Sequence, residues 1–241
     1  MIPKKIHYCW FGRGQMPELA VNCINSWKKY LPDYELILWN EDNFDINCNQ
    51  YVKEAYESKK YAFVTDYVRL YALYHHGGIY MDTDVEVLKS LDKFLEQSFF
   101  IGCEKEDLIQ TGLIGSLPKN RIVKRILNYY DDKKFVLNDG SLNLLPNPKI
   151  FSPILHEEYG WIPKNSFQNL ADGISVYPID YFCAKDWETG KIRISENTHT
   201  IHHFSGSWHT KTDKLKIRVQ NIIGPRGTQF IVNIKKKIKG L

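Results

Sequence analysis

The chain has 241 residues, of which 43% are hydrophobic and 14% aromatic, and it carries a formal net charge of +4. This length and apolar content suffice to bury one sizeable core, and no run of ~18 apolar residues indicates a membrane-spanning helix. The five cysteines are odd in number and scattered, which is typical of free thiols in a reducing cytoplasm and excludes a dense disulfide framework.

Strands alternate with helices along the chain, which predicts an α/β fold with a largely parallel sheet. In chain order we expect a strand at 5–10, a helix that begins at Pro17, a strand at 35–39, a long helix that ends before Gly77, strands at 79–81, 99–103 and 109–114, and a helix at 122–130. Residues 131–149 are rich in Asn, Asp and Pro and are predicted to form a mobile loop. The first ten residues lack the apolar stretch of a signal peptide, so we expect a cytoplasmic location.

The most informative stretch is the long helix together with the strand that follows it. Aromatic and aliphatic residues recur at helical spacing from Phe63 to Tyr74, and Gly77-Gly78 supplies the left-handed residue that ends a helix. Asp82 and Asp84 come directly after the next strand and are two positions apart, so their side chains share one side.

Two carboxylates placed together at the end of a core strand repel each other, and burying them is costly unless a cation compensates. A hard divalent ion such as Mn²⁺ or Mg²⁺ is the natural partner. The alternative is a solvated turn with two surface aspartates. Asp66 and Arg69, at positions i and i+3 of the preceding helix, either face the same site or form a buried salt bridge.

The end of the first strand is the second candidate region, because open α/β sheets bind nucleotides there. Trp10 at this position stacks on a base or is a core tryptophan. Gly12-Arg13-Gly14 matches no phosphate-binding loop, so the metal is expected to neutralise the phosphates of a nucleotide.

Three blocks of sequence resemble glycosyltransferase family 32, whose DXD region is related to the catalytic domain of the clostridial glucosylating toxins. The blocks are K-I-H-Y-C-W-F-G at 5–12, D-x-x-R followed by G-G-x-Y-x-D-x-D at 66–84, and H-H-F-S-G-S-W at 202–208. They occur in family order and extend to about Trp208. The resemblance implies a GT-A, Rossmann-like catalytic domain at 1–210.

The resemblance also implies a retaining, metal-dependent hexosyltransferase. It would move a sugar from a nucleotide-sugar donor, UDP-galactose or another UDP-sugar first and GDP-mannose second, to a glycan or lipid-linked acceptor. A bacterial capsular or surface polysaccharide pathway is expected, with the 131–149 loop near the acceptor. Two other classes stay open, namely a metal-dependent hydrolase or nucleotidyltransferase and a non-catalytic binding protein.

By the same resemblance, individual residues receive roles. The expected metal ligands are Asp82, Asp84, His203 and Ser207. The expected nucleotide contacts are His7, Tyr8, Trp10, Asp82 and Trp208. Asp66 and Arg69 are expected to hydrogen-bond the hydroxyls of the donor sugar, and the amide of Gln110 to lie beside that sugar. His202 and His203 are adjacent on a strand-like segment and point to opposite sides, so only one reaches the metal. We select His203, because His-Phe-x-Gly at 203–206 resembles the metal motif of related retaining transferases.

The C-terminal segment 211–241 has a separate character, with nine Lys or Arg and one acidic residue. Its apolar Phe230-Ile231-Val232 precedes a run of lysines, an order suited to an anionic membrane surface at the inner face of the cell membrane. A solvated terminus is the alternative. Nucleic acid is not an expected partner, because no recognition module is present in the sequence.

Overall fold

A computed structural model describes residues 1–187 and 189–206 of the chain. Ser207, Trp208 and the basic segment 211–241 lie outside the described residues. Among the described residues, no helix is both long and apolar enough to cross a bilayer.

The described residues form an α/β fold, which confirms the predicted class. The helices are α1 (Glu18–Tyr30), α2 (Gln50–Glu57), α3 (Tyr61–His76), α4 (Arg121–Leu127), α5 (Pro148–Tyr159) and α6 (Ile179–Phe182). The strands are β1 (Lys5–Cys9), β2 (Glu35–Trp39), β3 (Gly78–Met81), β4 (Val85–Val87), β5 (Phe99–Lys105), β6 (Leu108–Ser116), β7 (Gln168–Asn169), β8 (Ile174–Tyr177) and β9 (Thr200–His202).

One mixed sheet organises the molecule, with strand order β2-β1-β3-β6-β5-β8-β7. Strands β2, β1 and β3 run parallel, whereas β6 runs antiparallel to both β3 and β5. A small second sheet pairs β4 with β9. The carboxyl ends of β1, β2 and β3 therefore meet at one edge of the main sheet, where the candidate site lies.

Both faces of the main sheet are covered. Along β3, Tyr80 belongs to the core under α2, α3, α4 and α5, whereas Ile79 and Met81 belong to the core under α1 and β4. This alternation follows from the period-two direction of side chains in a strand, and it explains why β3 reads as a continuous apolar run.

The elements that were not expected from the sequence include the helices α2 and α5. Helix α2 is short and is preceded by the capping residue Asn49, whose side chain accepts hydrogen bonds from Tyr51 N and Val52 N. Helix α5 begins at Pro148, inside the segment predicted as a loop, and it also contains Pro153. Proline is favoured in the first turn of a helix, so Pro148 marks a helix start where the sequence indicated only a loop.

The turn from α3 into β3 depends on two glycines. Gly77 and Gly78 have φ angles of +62° and +105°, a region that side chains disfavour. A Cβ atom on Gly78 would also lie 2.7 Å from the carbonyl oxygen of Lys5. The double glycine therefore allows β3 to pass directly beside β1.

His7 is a structural residue of this core, which corrects its expected role in nucleotide binding. Its side chain is fully buried. Trp39 Nε1 donates to His7 Nδ1 at 3.1 Å, and His7 Nε2 donates to the Gly77 carbonyl at 2.8 Å. Both ring nitrogens are thus occupied in joining β1 to β2 and to the start of β3, so none is left for a nucleotide.

Burial lowers the pKa of His7 to about 4, against the raising effect of its hydrogen bond to Gly77. The ordinary histidine pKa is about 6.5, so between pH ~4 and pH ~6.5 this histidine is protonated in the unfolded chain but neutral in the folded chain. The free energy of unfolding is therefore expected to fall as the pH drops from ~6.5 to ~4, by about 3 kcal/mol from this group.

We predict that His7→Gln flattens this pH dependence, while it lowers stability at pH 7 by about 1–3 kcal/mol through its altered buried hydrogen bonds. Urea unfolding of both proteins at pH 7 and pH 5 measures the effect. The matched control His76→Gln changes an exposed histidine of the same region and should keep most of the dependence. An unchanged slope in His7→Gln would contradict the assignment.

Candidate active site

The site is built where the main sheet meets the small one. Asp82 follows β3 immediately, and Asp84 precedes β4. Asp82 N donates to the Gly112 carbonyl at 2.8 Å, and Val85 N donates to the Asp82 carbonyl at 3.0 Å, which holds the connection as a tight turn. Strand β9 pairs antiparallel with β4 so that His202 lies opposite Val85.

Asp82, Asp84 and His202 form a cluster of three metal-ligand groups whose atoms all lie within 4.8 Å of one another. His202 Nε2 is 3.3 Å from Asp84 Oδ1 and 3.9 Å from Asp82 Oδ2. The opposite carboxylate oxygens are fixed by the protein, since Tyr80 Oη donates to Asp82 Oδ1 at 2.6 Å and Ser205 N donates to Asp84 Oδ2 at 2.7 Å. The remaining oxygens therefore converge with the imidazole nitrogen.

This donor set fits a divalent cation. The two carboxylate oxygens suit Mn²⁺ or Mg²⁺, and the imidazole nitrogen favours a transition-metal ion such as Mn²⁺ over Mg²⁺. Ligands that bind one ion at about 2.1 Å and at right angles are about 3 Å apart, close to the spacing between His202 and Asp84. Although burial opposes both shifts, the attraction between His202 and Asp84 raises the pKa of His202 and lowers that of Asp84. Asp84 is thus paired with positive charge at this point.

The structure corrects the choice between the two adjacent histidines. They point to opposite sides of β9, as predicted, but His202 rather than His203 faces the aspartates. His203 Nε2 instead lies 2.8 Å from Glu86 Oε2 on the other side. The His203 backbone N donates to the Asp84 carbonyl at 2.9 Å. This pairing between β9 and β4 is what directs the His203 side chain away from the cluster.

Arg69 joins helix α3 to the cluster. Its Nη2 atom lies 2.9 Å from Asp66 Oδ1 and 3.4 Å from Asp82 Oδ1, and its Nη1 atom donates to the Thr111 carbonyl at 2.7 Å. Its guanidinium also stacks 4.7 Å from the centre of the Tyr80 ring. Asp66 and Arg69 are therefore both a buried ion pair and direct neighbours of Asp82.

The carboxyl group of Asp66 is a weaker acid than an ordinary aspartate. Burial raises its pKa to about 7, and the negative charge of Asp82 adds to the rise, while Arg69 opposes it. Asn147 Nδ2 donates to the Asp66 carbonyl oxygen at 3.0 Å, which attaches the start of α5 to this part of α3. A carboxyl near neutrality can accept or donate a hydrogen bond, as recognition of a hydroxyl requires.

Gln110 has a different position from the one expected beside a donor sugar. Its side chain is 1% exposed, its Oε1 accepts from Leu113 N at 2.9 Å, and its Nε2 donates to the Leu113 carbonyl. The pairing of β6 with β5 is interrupted here, since Ile101 pairs with Ile114 and Cys103 with Ile109. The Gln110 amide replaces the missing strand bonds and stabilises the bulge.

This bulge supplies the backbone atoms of the site. The Thr111 carbonyl binds Arg69 and the Gly112 carbonyl binds the Asp82 backbone. A Cβ atom on Gly112 would lie 2.8 Å from His202 Cε1 and 3.2 Å from Asp82 Oδ2. Glycine is therefore required for the close approach of β6 to the cluster. These contacts were missed from the sequence, although a Gly in a strand pattern is a signal for a bulge.

The residues at the end of β1 occupy the same edge of the sheet. Trp10 is half-buried, and its Nε1 donates to the Gly14 carbonyl at 2.6 Å. Gly12 N donates to Glu41 Oε1 at 2.6 Å, which fixes this loop against the segment after β2. Tyr8 instead packs edge-to-face on Trp27 of α1. Trp10 therefore lies beyond the carboxyl end of β1, where its role in nucleotide binding stays a prediction, whereas Tyr8 contributes to the packing of α1.

Comparison with known proteins shows a similarity to one family over part of the chain. The family model described as "Glycosyltransferase sugar-binding region containing DXD motif" matches residues 17–101, a range that contains Asp66, Arg69, Asp82 and Asp84. Residues 17–101 are therefore similar to the sugar-binding region of DXD glycosyltransferases.

Two fungal relatives are similar to the chain. Inositol phosphoceramide mannosyltransferase 1 of Schizosaccharomyces pombe is 32% identical over 107 residues, covering 42% of this chain and 33% of the relative. Mannosyl phosphorylinositol ceramide synthase CSH1 of Saccharomyces cerevisiae is 24% identical over 218 residues, covering 87% and 54%. The chain thus spans between a third and about half of the length of these relatives.

Among solved structures, the PaToxG glycosyltransferase superposes with a TM-score of 0.49 and 20% sequence identity, covering 65% of this chain and 70% of the other.

The two histidines provide a matched pair for testing the cation site. We predict that His202→Ala weakens Mn²⁺ binding by roughly 100-fold or more, beyond the 10–100-fold effect of changing a neighbour of a ligand. His203→Ala should change it by less than about tenfold, since the His203 ring contacts Glu86. Calorimetric titration of Mn²⁺ into each variant measures the affinities. Equal losses in both variants, or a larger loss in His203→Ala, would refute the assignment.

Gln110→Leu tests whether Gln110 acts through the bulge. The change leaves the Leu113 N–H and carbonyl without partners, so the free energy of unfolding should fall by about 1–3 kcal/mol. Mn²⁺ affinity should fall too, because the bulge holds the Asp82 backbone. The control Gln97→Leu removes a hydrogen bond to Tyr177 and should leave Mn²⁺ affinity unchanged. A higher KM for the donor with unaltered stability would instead indicate that Gln110 contacts sugar.

Proposed function

We propose that the chain is a retaining, metal-dependent glycosyltransferase with the GT-A fold, acting from a nucleotide-sugar donor on a glycan or lipid-linked acceptor. The observation that carries this proposal is the convergence of Asp82, Asp84 and His202 beside the buried Asp66–Arg69 pair, within the matched sugar-binding region. A cation cluster next to polar groups able to bind hydroxyls is what transfer from a nucleoside diphosphate sugar requires.

The names of the two fungal relatives support a mannosyl donor such as GDP-mannose. They also support an acceptor that carries both a lipid and a phosphate group. UDP-galactose remains the alternative donor. The expected capsular or surface polysaccharide pathway shares this acceptor chemistry, because its intermediates are lipid-linked.

In the proposed reaction, the bond between the anomeric carbon and the diphosphate oxygen breaks. A bond forms from an acceptor hydroxyl oxygen to that carbon, the hydroxyl proton is released, and the product is a nucleoside diphosphate. Asp82, Asp84 and His202 would hold a divalent ion, which when bound supplies charge compensation for the diphosphate. Asp66 orients sugar hydroxyls through its carboxyl group, and Arg69 fixes the positions of Asp66 and Asp82.

Product analysis tests the proposal. Purified protein with Mn²⁺ is incubated with GDP-mannose or UDP-galactose and either decyl mannoside or inositol phosphoceramide. We expect release of nucleoside diphosphate and, by NMR, an α-linked product from the α-configured donor. A β-linked product would exclude the retaining assignment, and release of inorganic phosphate or pyrophosphate would indicate a hydrolase or nucleotidyltransferase.

Asp66→Asn is expected to reduce kcat in this assay by at least about tenfold, which corresponds to ~1.4 kcal/mol. The change removes the negative charge and replaces one of the two carboxylate oxygens by an amide donor. Affinity for the free nucleoside diphosphate should be kept, because base and phosphate contacts lie elsewhere. The control Asp131→Asn alters an exposed carboxylate and should leave kcat unchanged. If Asp66→Asn transfers sugar at the rate of the unmodified protein, Asp66 has no role in donor binding.

A further inference from the structure

An apolar groove lies between α4 and α5, separate from the cation cluster. It encloses about 270 Å³, about nine times the ~30 Å³ that one water molecule occupies in the liquid. Its apolar lining consists of Tyr129, Leu145, Ile150, Pro153 and Ile154. Leu145 is 40% exposed and its neighbour Leu144 is 52% exposed. The exposed Leu145 thus extends the apolar lining of the groove to the surface, where its neighbour Leu144 is also exposed, and such an apolar surface suits an apolar ligand.

The charged residues of the groove are both cationic. They are Arg125 and Lys149. Arg125 is engaged by Glu158 through hydrogen bonds of 2.6–3.0 Å from both Nε and Nη2. Lys149 is exposed in the first turn of α5. The lining residues thus combine an apolar floor with positive charge at its edge, which matches a molecule that has an apolar chain and an anionic group.

The groove and the candidate active site share one supporting segment of the chain. Asn147 lies between Leu145 and Lys149 in the sequence, and its side chain is fully buried. Its Nδ2 donates a hydrogen bond to the backbone carbonyl of Asp66. Its Oδ1 accepts from Tyr130 Oη at 2.6 Å, next to Tyr129 of the groove. One short segment therefore contacts the Asp66 side of the site and also forms the wall of the groove.

Glu104 provides a second connection. It lies near the end of β5, and the charges of His202 and Lys149 both act on its carboxyl. Glu104 thus has a member of the cation cluster and a residue of the groove as its electrostatic neighbours.

We propose that this groove binds the apolar chain of a phosphate-bearing lipid acceptor, with Lys149 pairing with the phosphate. The inference rests on the proposed function in naming the acceptor, but the binding site itself is a property of α4, α5 and the segment between Leu145 and Lys149. The apolar chain lies between the two helices and the phosphate lies at the exposed Lys149, on the groove wall that the buried Asn147 connects to α3. The volume accommodates part of one chain, so the rest of the lipid stays in its bilayer or micelle.

Calorimetry with decyl phosphate, below its micellar concentration and with the full chain, tests the groove without any donor. Leu145→Asp should weaken binding at least tenfold, because it places a charge against the apolar chain. Lys149→Ala should weaken decyl phosphate binding but leave the binding of neutral decyl glucoside unchanged. Ile162→Asp and Lys164→Ala are matched controls, exposed on the chain beyond α5, and should bind decyl phosphate like the unmodified protein.

Three outcomes would overturn the inference. These are no binding of decyl phosphate by the unmodified protein, an equal loss in Ile162→Asp and Leu145→Asp, and inorganic phosphate binding as tightly as decyl phosphate, which would indicate a simple anion site. Because no sugar nucleotide is present, groove binding combined with an absence of sugar transfer would refute the proposed function alone. Sugar transfer combined with an absence of groove binding would refute this inference alone.

Discussion

Compensation of the negative charge on Asp82 and Asp84 is the constraint on which the rest of the structure depends. Both carboxylates follow a fully buried strand, and charges in that position persist only with positive groups close by. Arg69 approaches Asp82 from α3, and His202 approaches Asp84 from β9. The two compensating groups come from distant parts of the chain, so the site exists only when the main sheet, α3 and the small sheet are all assembled.

Backbone atoms contribute as much to this site as side chains do. The bulge in β6 turns two carbonyl groups toward the cluster. The Thr111 carbonyl accepts a hydrogen bond from Arg69, and the Gly112 carbonyl accepts one from Asp82 N. Gln110 stabilises the bulge from inside the core. Bulges are common next to active sites because they redirect the chain without adding an element. Here the bulge lets β6 approach His202 at a distance that only glycine permits.

The buried polar groups around the site belong to one connected set. Tyr80 holds Asp82, Arg69 holds Asp66, and Asn147 links Asp66 to the segment before α5. Each bond limits the freedom of its neighbour, so the carboxylate oxygens face the cluster before any ligand arrives. Asn147 also joins this set to the groove between α4 and α5, because its neighbours Leu145 and Lys149 line that groove. The proposed acceptor groove and the cation site are therefore held by the same hydrogen-bonded residues.

The amino-acid sequence alone determined the features that depend on local pattern. The helical spacing before Gly77, the double-glycine stop and the two aspartates after an apolar strand predict α3, β3 and the carboxylate pair, and the structure contains all of them. The bounds of β2 agree with the predicted strand at 35–39. Period-two alternation also indicated that His202 and His203 diverge. These signals are readable because they arise within a few residues of one another.

Only the tertiary structure decided which residues meet. Alternation shows that two adjacent histidines separate, but the register of β9 on β4 selects His202. His7 and Gln110 lie beside motifs that suggest site residues, yet their polar atoms form hydrogen bonds inside the core. His7 bonds to Trp39 and Gly77, and Gln110 bonds to Leu113. The groove combines Tyr129 with residues of α5 that the sequence separates by a predicted loop. Such outcomes depend on contacts between distant segments, and a sequence pattern with a period of two to four residues carries no information about which distant segment a side chain will face.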